Sequence, residues 1–320
     1  MTSDQPNRLK LLAAFMAIYF VWGTTYLAIK YAIESFPPFM MMGMRSLIAG
    51  SALYAWGRLR GDANVTLREL PSLMLIGFLF FLVGHGVLAW AQKTVPSGVA
   101  ALLIASEPLW IAVLEPIFTK EAVVSKRTAF GMLLGVSGIA LLVAPQGFDF
   151  ENANVLGSIG ILIGTCSWSI GAVYARVAKL PRSPLITSGL QLMCGGVFLA
   201  MASYMLGEWT AFDFSQVTLR SWLGLAYLVV FGSIITFSSY TWLLTVTSAT
   251  RISTHTFVNP VVAMAVGWAF ANEALTNEML LATLLIVISV YLVLYRKKPP
   301  GAKKHDPIEE AVVEGAAGEP

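Results

Sequence analysis

Arg45 and Glu107 stand inside long apolar stretches, 38–57 and 97–119. A charge at membrane depth is costly, so such a group faces protein or a water-filled hollow and is a functional candidate. Arg45 lies about seven residues into its stretch, about 10 Å down at about 1.5 Å per residue. Its planar fork suits a substrate carboxylate or a gating acid, or else backbone carbonyls of a neighbouring helix satisfy it. Glu107 directly precedes Pro108, and desolvation there favours its neutral form. It is the candidate for proton coupling or for recognising a cationic group. The alternative is a structural pairing with a basic residue such as Arg45.

Pro108 and Pro260 occupy corresponding places in the stretches 97–119 and 250–271. A proline inside a helix removes a hydrogen bond and clashes one turn back. In lipid the freed carbonyl is tolerated only against protein or a cavity. A matched pair of interrupted helices is therefore a pointer to a transport site. Asn259 stands beside Pro260 as Glu107 does beside Pro108. Trp22, Trp110 and Trp168 lie too deep for the interfacial aromatic belt. They either pack helices or wall a cavity that stacks rings or holds a cation. Thr24, Thr25 and Tyr26 follow Trp22 and add hydroxyls. His85 and His255 are hydrogen-bonding packers or proton relays.

Other chemistries lack their residues. Cys166 and Cys194 lie in apolar runs and read as small fillers, not as a disulfide framework. No His/Cys/carboxylate cluster has metal-ligand spacing, so no metal is expected. No GxxxxGK[ST] loop would bind ATP, and no GxSxG-type nucleophile is present. The basic residues form loop anchors rather than a patch for nucleic acid.

The elements that position these residues are membrane helices. Of the 320 residues 57% are hydrophobic and only 12% charged, and the mean hydropathy is +0.71. A soluble domain carries about 25% charged residues, so the solvent for most of this chain is lipid. A bilayer core needs about 20 apolar residues per helix. Ten stretches qualify: roughly 11–31, 38–57, 72–92, 97–119, 128–145, 156–176, 184–206, 221–245, 250–271 and 276–295. Pro37-Pro38, Arg60-Gly61-Asp62, Pro145-Gln146-Gly147 and Pro181-Arg182 mark turns between them. The first stretch reads as an uncleaved helix, because no small-x-small site follows it. Residues 299–320 are Gly/Pro/Glu-rich and read as a disordered cytoplasmic tail.

Placing both termini in the cytoplasm leaves only Lys30, Lys93 and Arg220 on the opposite side, and Arg45 inside a helix, of the 21 Lys and Arg residues. That bias sets the orientation. The chain also repeats. Trp22 and Trp168, Pro38 and Pro184, and Arg45 and Gln191 are each 146 residues apart. Trp90 and Trp242, Pro108 and Pro260, and Glu121 and Glu273 are each 152 apart. A six-residue insertion near 207–220 reconciles the two offsets. The expected fold is thus an all-α integral membrane protein of ten transmembrane helices in two inverted five-helix repeats, 1–150 and 151–298.

Trp22-Gly23-Thr24-Thr25-Tyr26, Pro37-Pro38 with Arg45, Pro96-Ser97-Gly98-Val99-Ala100-Ala101-Leu102, and Asn259-Pro260-Val261 with Glu273 resemble the EamA branch of the drug/metabolite transporter superfamily, nearest its YedA-type permeases. The likeness spans about 10–296. It implies a ten-helix basket whose cavity is lined mainly by helices 1, 3, 4, 6, 8 and 9. On that pattern Trp22, His85, Glu107, Trp110, Trp168, Ser238, Tyr240 and Asn259 line the cavity. It also implies an inner-membrane exporter of amino acids or related small metabolites, without a soluble cofactor, driven by protons or running as a facilitator. Two alternatives stand beside it: a multidrug-type exporter of aromatic cations caged by Trp22, Trp168 and Glu107, and a membrane-embedded enzyme or sensor.

Overall fold

A chain in lipid must satisfy its own backbone, and the helix does so within one segment. The structure, a computed structural model, describes residues 8–63, 65–119, 126–143, 153–210, 212–247, 252 and 254–294. These are helical with short connections, and no β-strand occurs among them. The expected tail 299–320 and the junction between the two halves at 150–151 lie outside the described residues.

Helix α1 covers Arg8–Ala32, α2 Pro38–Leu59 and α3 Leu70–Ala91. Helix α4 comes in two pieces, Ser97–Ile104 and Glu107–Thr119. Then follow α5 (Lys126–Val143), α6 (Ala153–Ala175) and α7 (Pro184–Met205). Helix α8 runs through Leu219–Tyr227, Leu228–Phe237 and Ser238–Val246. Helices α9 (His255–Ala271) and α10 (Asn277–Leu294) complete the described residues. Pro38 and Pro184 open their helices, where a missing N–H costs nothing and the fixed φ already fits. Ser183 and Thr218 cap α7 and α8 by accepting from Ile186 N (3.4 Å) and Ser221 N (3.2 Å).

Six helices are long and apolar enough to cross a bilayer: Arg8–Ala32, Leu70–Ala91, Ser97–Leu114, Asn154–Ala175, Pro184–Met205 and Leu219–Leu244. Ala129–Leu142, Val258–Ala271 and Asn277–Leu292 are shorter apolar helices. Polarity is turned inside out: Arg45 and Glu107 are 3% and 4% exposed, while Phe270 and Leu133 are each 67% exposed. That suits a multi-pass membrane protein, whose outer solvent is hydrocarbon.

Helix α2 packs along α7, and α5 along α10. Helix α6 lies against α3 and α4, and α1 against α8 and α9. Glycines seven apart, Gly43, Gly50 and Gly57 facing Gly189 and Gly196, bring α2 and α7 together. A Cβ at Gly50 would lie 2.8 Å from Gly189 O and from Met193 N. Small residues at such a seam let membrane helices gain packing contact without a hydrophobic driving force. Gly43 meets Ala200 and Gly57 meets Ile186, so the pair is antiparallel.

Three stretches are wound wider, with π-type turns: Ala17–Val21 in α1, Phe78–Gly86 in α3 and Leu228–Phe237 in α8. Such turns concentrate at functional sites. Side chains from neighbouring helices reach their carbonyls. Ser167 Oγ donates to Leu79 O (3.0 Å) and Trp22 Nε1 to Gly232 O (3.4 Å).

Candidate functional site

These elements surround a central hollow that is partly open to solvent. Helix α1 lines it with Trp22, Thr25, Tyr26 and Ile29, α2 with Arg45, and α3 with Gly84, His85 and Leu88. Helix α4 adds Ile104 and Glu107, α6 adds Ile161, Gly164, Thr165 and Trp168, and α9 adds His255 and Asn259. Seven of the candidates expected from sequence thus meet around one hollow: Trp22, Thr25, Arg45, His85, Glu107, Trp168 and Asn259.

Two tryptophans form its aromatic wall. Trp22 meets Trp168 edge-on at 6.2 Å and the rings of Tyr240 and His255 at 5.2 Å each. Trp168 stacks on Phe80 at 4.1 Å and tilts against His85 at 5.2 Å. Their mounting is alike, since Trp22 sits on Gly232 of α8 and Trp168 on Phe80 of α3, two positions 152 residues apart. Both mounting points belong to the wide turns of α3 and α8.

Arg45 is held by its inner nitrogen. Its Nε donates to Ser233 Oγ at 2.8 Å, and Nη1 lies 3.7 Å from Met42 Sδ, a weak acceptor. Among the described residues it forms no ion pair with a carboxylate. Gly232 makes room for the guanidinium, since a Cβ there would lie 3.1 Å from Nη2.

Glu107 opens the second piece of α4, after an interruption at Ala105–Ser106. Ser106 caps that interruption by donating to Leu103 O (2.6 Å), and its own carbonyl accepts from Leu109 N (2.9 Å). The unpaired N–H groups at a helix start favour a carboxylate there. The expected structural pairing with Arg45 is not what the structure shows. Glu107 Oε2 instead lies 3.9 Å from His255 Nε2. His255 Nδ1 donates to Ile252 O at 2.8 Å in the tautomer assigned by that carbonyl. Neutral His255 then turns Nε2 toward Glu107, at a distance beyond direct hydrogen bonding.

Asn259 Nδ2, with the amide oriented to donate, reaches Tyr19 O (2.7 Å) and Ile18 O (3.0 Å). These carbonyls belong to the wide turn of α1. Asn259 thus ties α9 to α1 as well as lining the cavity.

Four expected placements differ. Trp110 is half-buried outside the cavity lining, and its Nε1 has no hydrogen-bond partner among the described residues. Ser238 turns back to Ile234 O on its own helix, as hydroxyls in apolar helices do. Tyr240 lines a second, smaller hollow and reaches the central wall only through its ring contacts. Pro260 is buried inside a continuous α9, so the interruption is confined to α4. Pro108 is the second residue of the restarted piece, and the interruption falls in the turn before it, where its missing N–H removes the bond to Ile104 O.

The second hollow adjoins the first. Glu107 and His255 line both, and Arg176 and Leu244 lie beyond them. Sequence reasoning missed Ser233, Thr165 and Gly164. Gly164 alone carried a signal, being a helical glycine whose Cβ would lie 3.1 Å from Val83 O.

Known proteins share the sequence pattern and the fold of this chain. A profile of the EamA-like transporter family matches residues 9–144 and again 155–295. The inner membrane transporter YedA of Escherichia coli (strain K12) is 36% identical over 312 residues, covering 97% of this chain and 98% of that protein. The transporter YvbV of Bacillus subtilis (strain 168) is 26% identical, covering 91% and 93%. A crystal structure matches with a TM-score of 0.64 at 20% identity, over 89% of this chain and 97% of that one, a likeness of fold. The chain belongs to the EamA-like transporter family.

Proposed function

We propose that this chain is a secondary-active inner-membrane exporter of amino acids or closely related small metabolites, working by alternating access. One observation carries the substrate class. Arg45 and Glu107 line the same cavity, and neither neutralises the other. A guanidinium for a carboxylate and a carboxylate for an ammonium, between walls of Trp22 and Trp168, fit a zwitterion with an apolar or aromatic body. Glu107, with His255 beside it, is the proton-exchange candidate, because an arriving ammonium would displace a proton held on its carboxyl.

In this reading ten spans form two inverted halves, 1–150 and 151–298, with both termini cytoplasmic. Three features support it. The family profile matches twice. The helix pairings are unchanged when each helix of one half is exchanged for its counterpart: α1 with α8 and α9 corresponds to α6 with α3 and α4. Helix α6 runs opposite to α3, since Gly157 at its start meets Val95 just past the end of α3 and Tyr174 near its end bonds Ser72 (3.0 Å). The Lys/Arg bias supports the orientation.

The aromatic wall around Glu107 also favours export of aromatic cations as a second reading. Arg45 in the same cavity opposes it, because a lone cation would gain nothing from a guanidinium. Counterflow in proteoliposomes separates the two. A panel of amino acids, their methyl esters and methyl viologen should show exchange of at least one free amino acid and little of its ester. Exchange of methyl viologen alone would favour the cation reading, and exchange of none of them removes the zwitterion.

A further inference from the structure

The end of α1 nearest the cavity is tied to three other helices at one point. Lys30 directly follows the cavity residue Ile29. Its Nζ donates to Glu273 Oε1 at 2.7 Å. Glu273, in the turn between α9 and α10, also accepts from Ser97 N (3.0 Å), Ser97 Oγ (2.7 Å) and Gly98 N (3.3 Å). Those are the first residues of α4, whose free N–H groups favour a carboxylate. Beside this node, Tyr31 OH donates to Phe270 O (2.5 Å), and Tyr31 O accepts from Ser221 Oγ (2.8 Å). Helices α1, α4, α8 and α9 therefore converge one residue beyond the cavity wall.

The local backbone is built to aim Glu273 at this node. Asn272 ends α9 in the left-handed region, at φ 51°, which reverses the chain. Glu273 N then bonds back to Gly267 O at 3.1 Å. Gly267 leaves the carboxylate its space, since a Cβ there would lie 2.5 Å from Glu273 Oε2 and 2.9 Å from Ser97 Oγ. At the opposite end the side chains of Glu107 and His255 separate the cavity from the second hollow, which reaches exposed Arg176. The cavity thus lies between a backbone-anchored ion pair just past its Ile29 end and the Glu107 and His255 side chains at the other.

We propose that Lys30 and Glu273 form a latch holding the cavity shut at the Lys30 end, and that its release is the step that opens the cavity to that side. The latch rests on the alternating-access reading but needs no particular substrate. A thiol reporter at Thr25, in full-length protein with Cys166 and Cys194 replaced by serine, tests it after reconstitution. A membrane-impermeant maleimide is added from each face. Lys30→Gln removes the charged donor at a half-exposed position, and Gly267→Ala displaces the Glu273 carboxylate while deleting no polar group. Each should raise labelling from the Lys30 face on the order of tenfold, the population shift expected for losing one charge-assisted hydrogen bond, and lower it from the other face. Lys93→Gln, an exposed change at the same end outside the node, should leave both rates alone. Unchanged labelling in both latch variants overturns the latch alone, provided that the parent is labelled from both faces. A reporter that reacts from neither face in any variant overturns alternating access and the latch with it.

Discussion

Replacing Arg45 by lysine keeps the charge and removes the geometry, so it separates recognition from electrostatics. In the structure Arg45 has two tasks: its Nε holds Ser233 Oγ at 2.8 Å, and the side chain lines the cavity. An ammonium cannot do both, and it meets a carboxylate as a single point rather than a fork. The ligand loses one charge-assisted hydrogen bond, about 1.5–3 kcal/mol. At about 1.4 kcal/mol per decade, Kd for a zwitterion rises about 10- to 100-fold. The fold also loses the Ser233 bond, likewise charge-assisted and worth about 1.5–3 kcal/mol, which lowers Tm whether or not ligand is present. The decisive quantity is therefore a ratio: the stabilisation by a free amino acid against that by its methyl ester, each measured by thermal unfolding of purified protein. Parent protein should prefer the acid, and Arg45→Lys should bring the two ligands together. Equal weakening of acid and ester in the variant would refute carboxylate recognition by Arg45 and leave it a structural residue.

Three other outcomes follow from particular contacts. Glu107→Gln removes the protonable partner of His255, so accumulation driven by a pH gradient should disappear while substrate counterflow persists at reduced affinity; gradient-driven accumulation at the parent level counts against proton exchange at this pair. Gly50→Ala places a methyl 2.8 Å from two backbone atoms of α7, which cannot step aside, and should cost about 1–3 kcal/mol; Gly84→Ala, whose Cβ meets nothing closer than 3.4 Å, should unfold near the parent temperature. Burial raises the Glu273 carboxyl, but hydrogen bonds from Lys30 and Ser97 outweigh it and hold the group below its ordinary 4.5. Its stabilisation is then complete at neutral pH and lost only as pH falls through that depressed value, so labelling of the Thr25 reporter from the Lys30 face should rise only in acid below about 4.5; a rise centred at neutral pH would place the sensitivity elsewhere.

The residues that were legible in the sequence share one property: lipid makes them expensive. Arg45, Glu107, His85 and Asn259 stood out against apolar surroundings, and the structure brings them to one cavity. Trp22 and Trp168 were found by their matched offset, and they do touch. The candidates resting only on the resemblance fared differently. Tyr240 touches the aromatic wall from a second hollow, while Ser238 bonds a carbonyl of its own helix. A serine in an apolar span can satisfy itself one turn back, so its presence does not say which way it points. Ser233 is the same residue type five positions earlier, and there it reaches across to Arg45. Composition cannot distinguish these two, because the difference lies in the wide turns of α8, which rotate successive side chains off the regular helical period.

Those wide turns join the fold to the site. In α1 the turn Ala17–Val21 ends directly before Trp22, so the direction of that ring depends on the extra backbone rotation. A turn wound this way leaves carbonyls without their usual donors, and in a membrane such groups need a partner. Asn259 supplies it at Ile18 and Tyr19. The amide that read as a ligand contact is therefore also what maintains the backbone under Trp22. Asn259→Asp keeps size and shape but removes the donor hydrogens, so it should shift the Trp22 ring and weaken binding of aromatic substrates and aliphatic ones alike. Asn259→Gln keeps the donor on a longer arm and should restore part of the loss. A merely polar lining residue would show neither pattern: Asp would be tolerated for ligands that never approach it, and Gln would give no rescue.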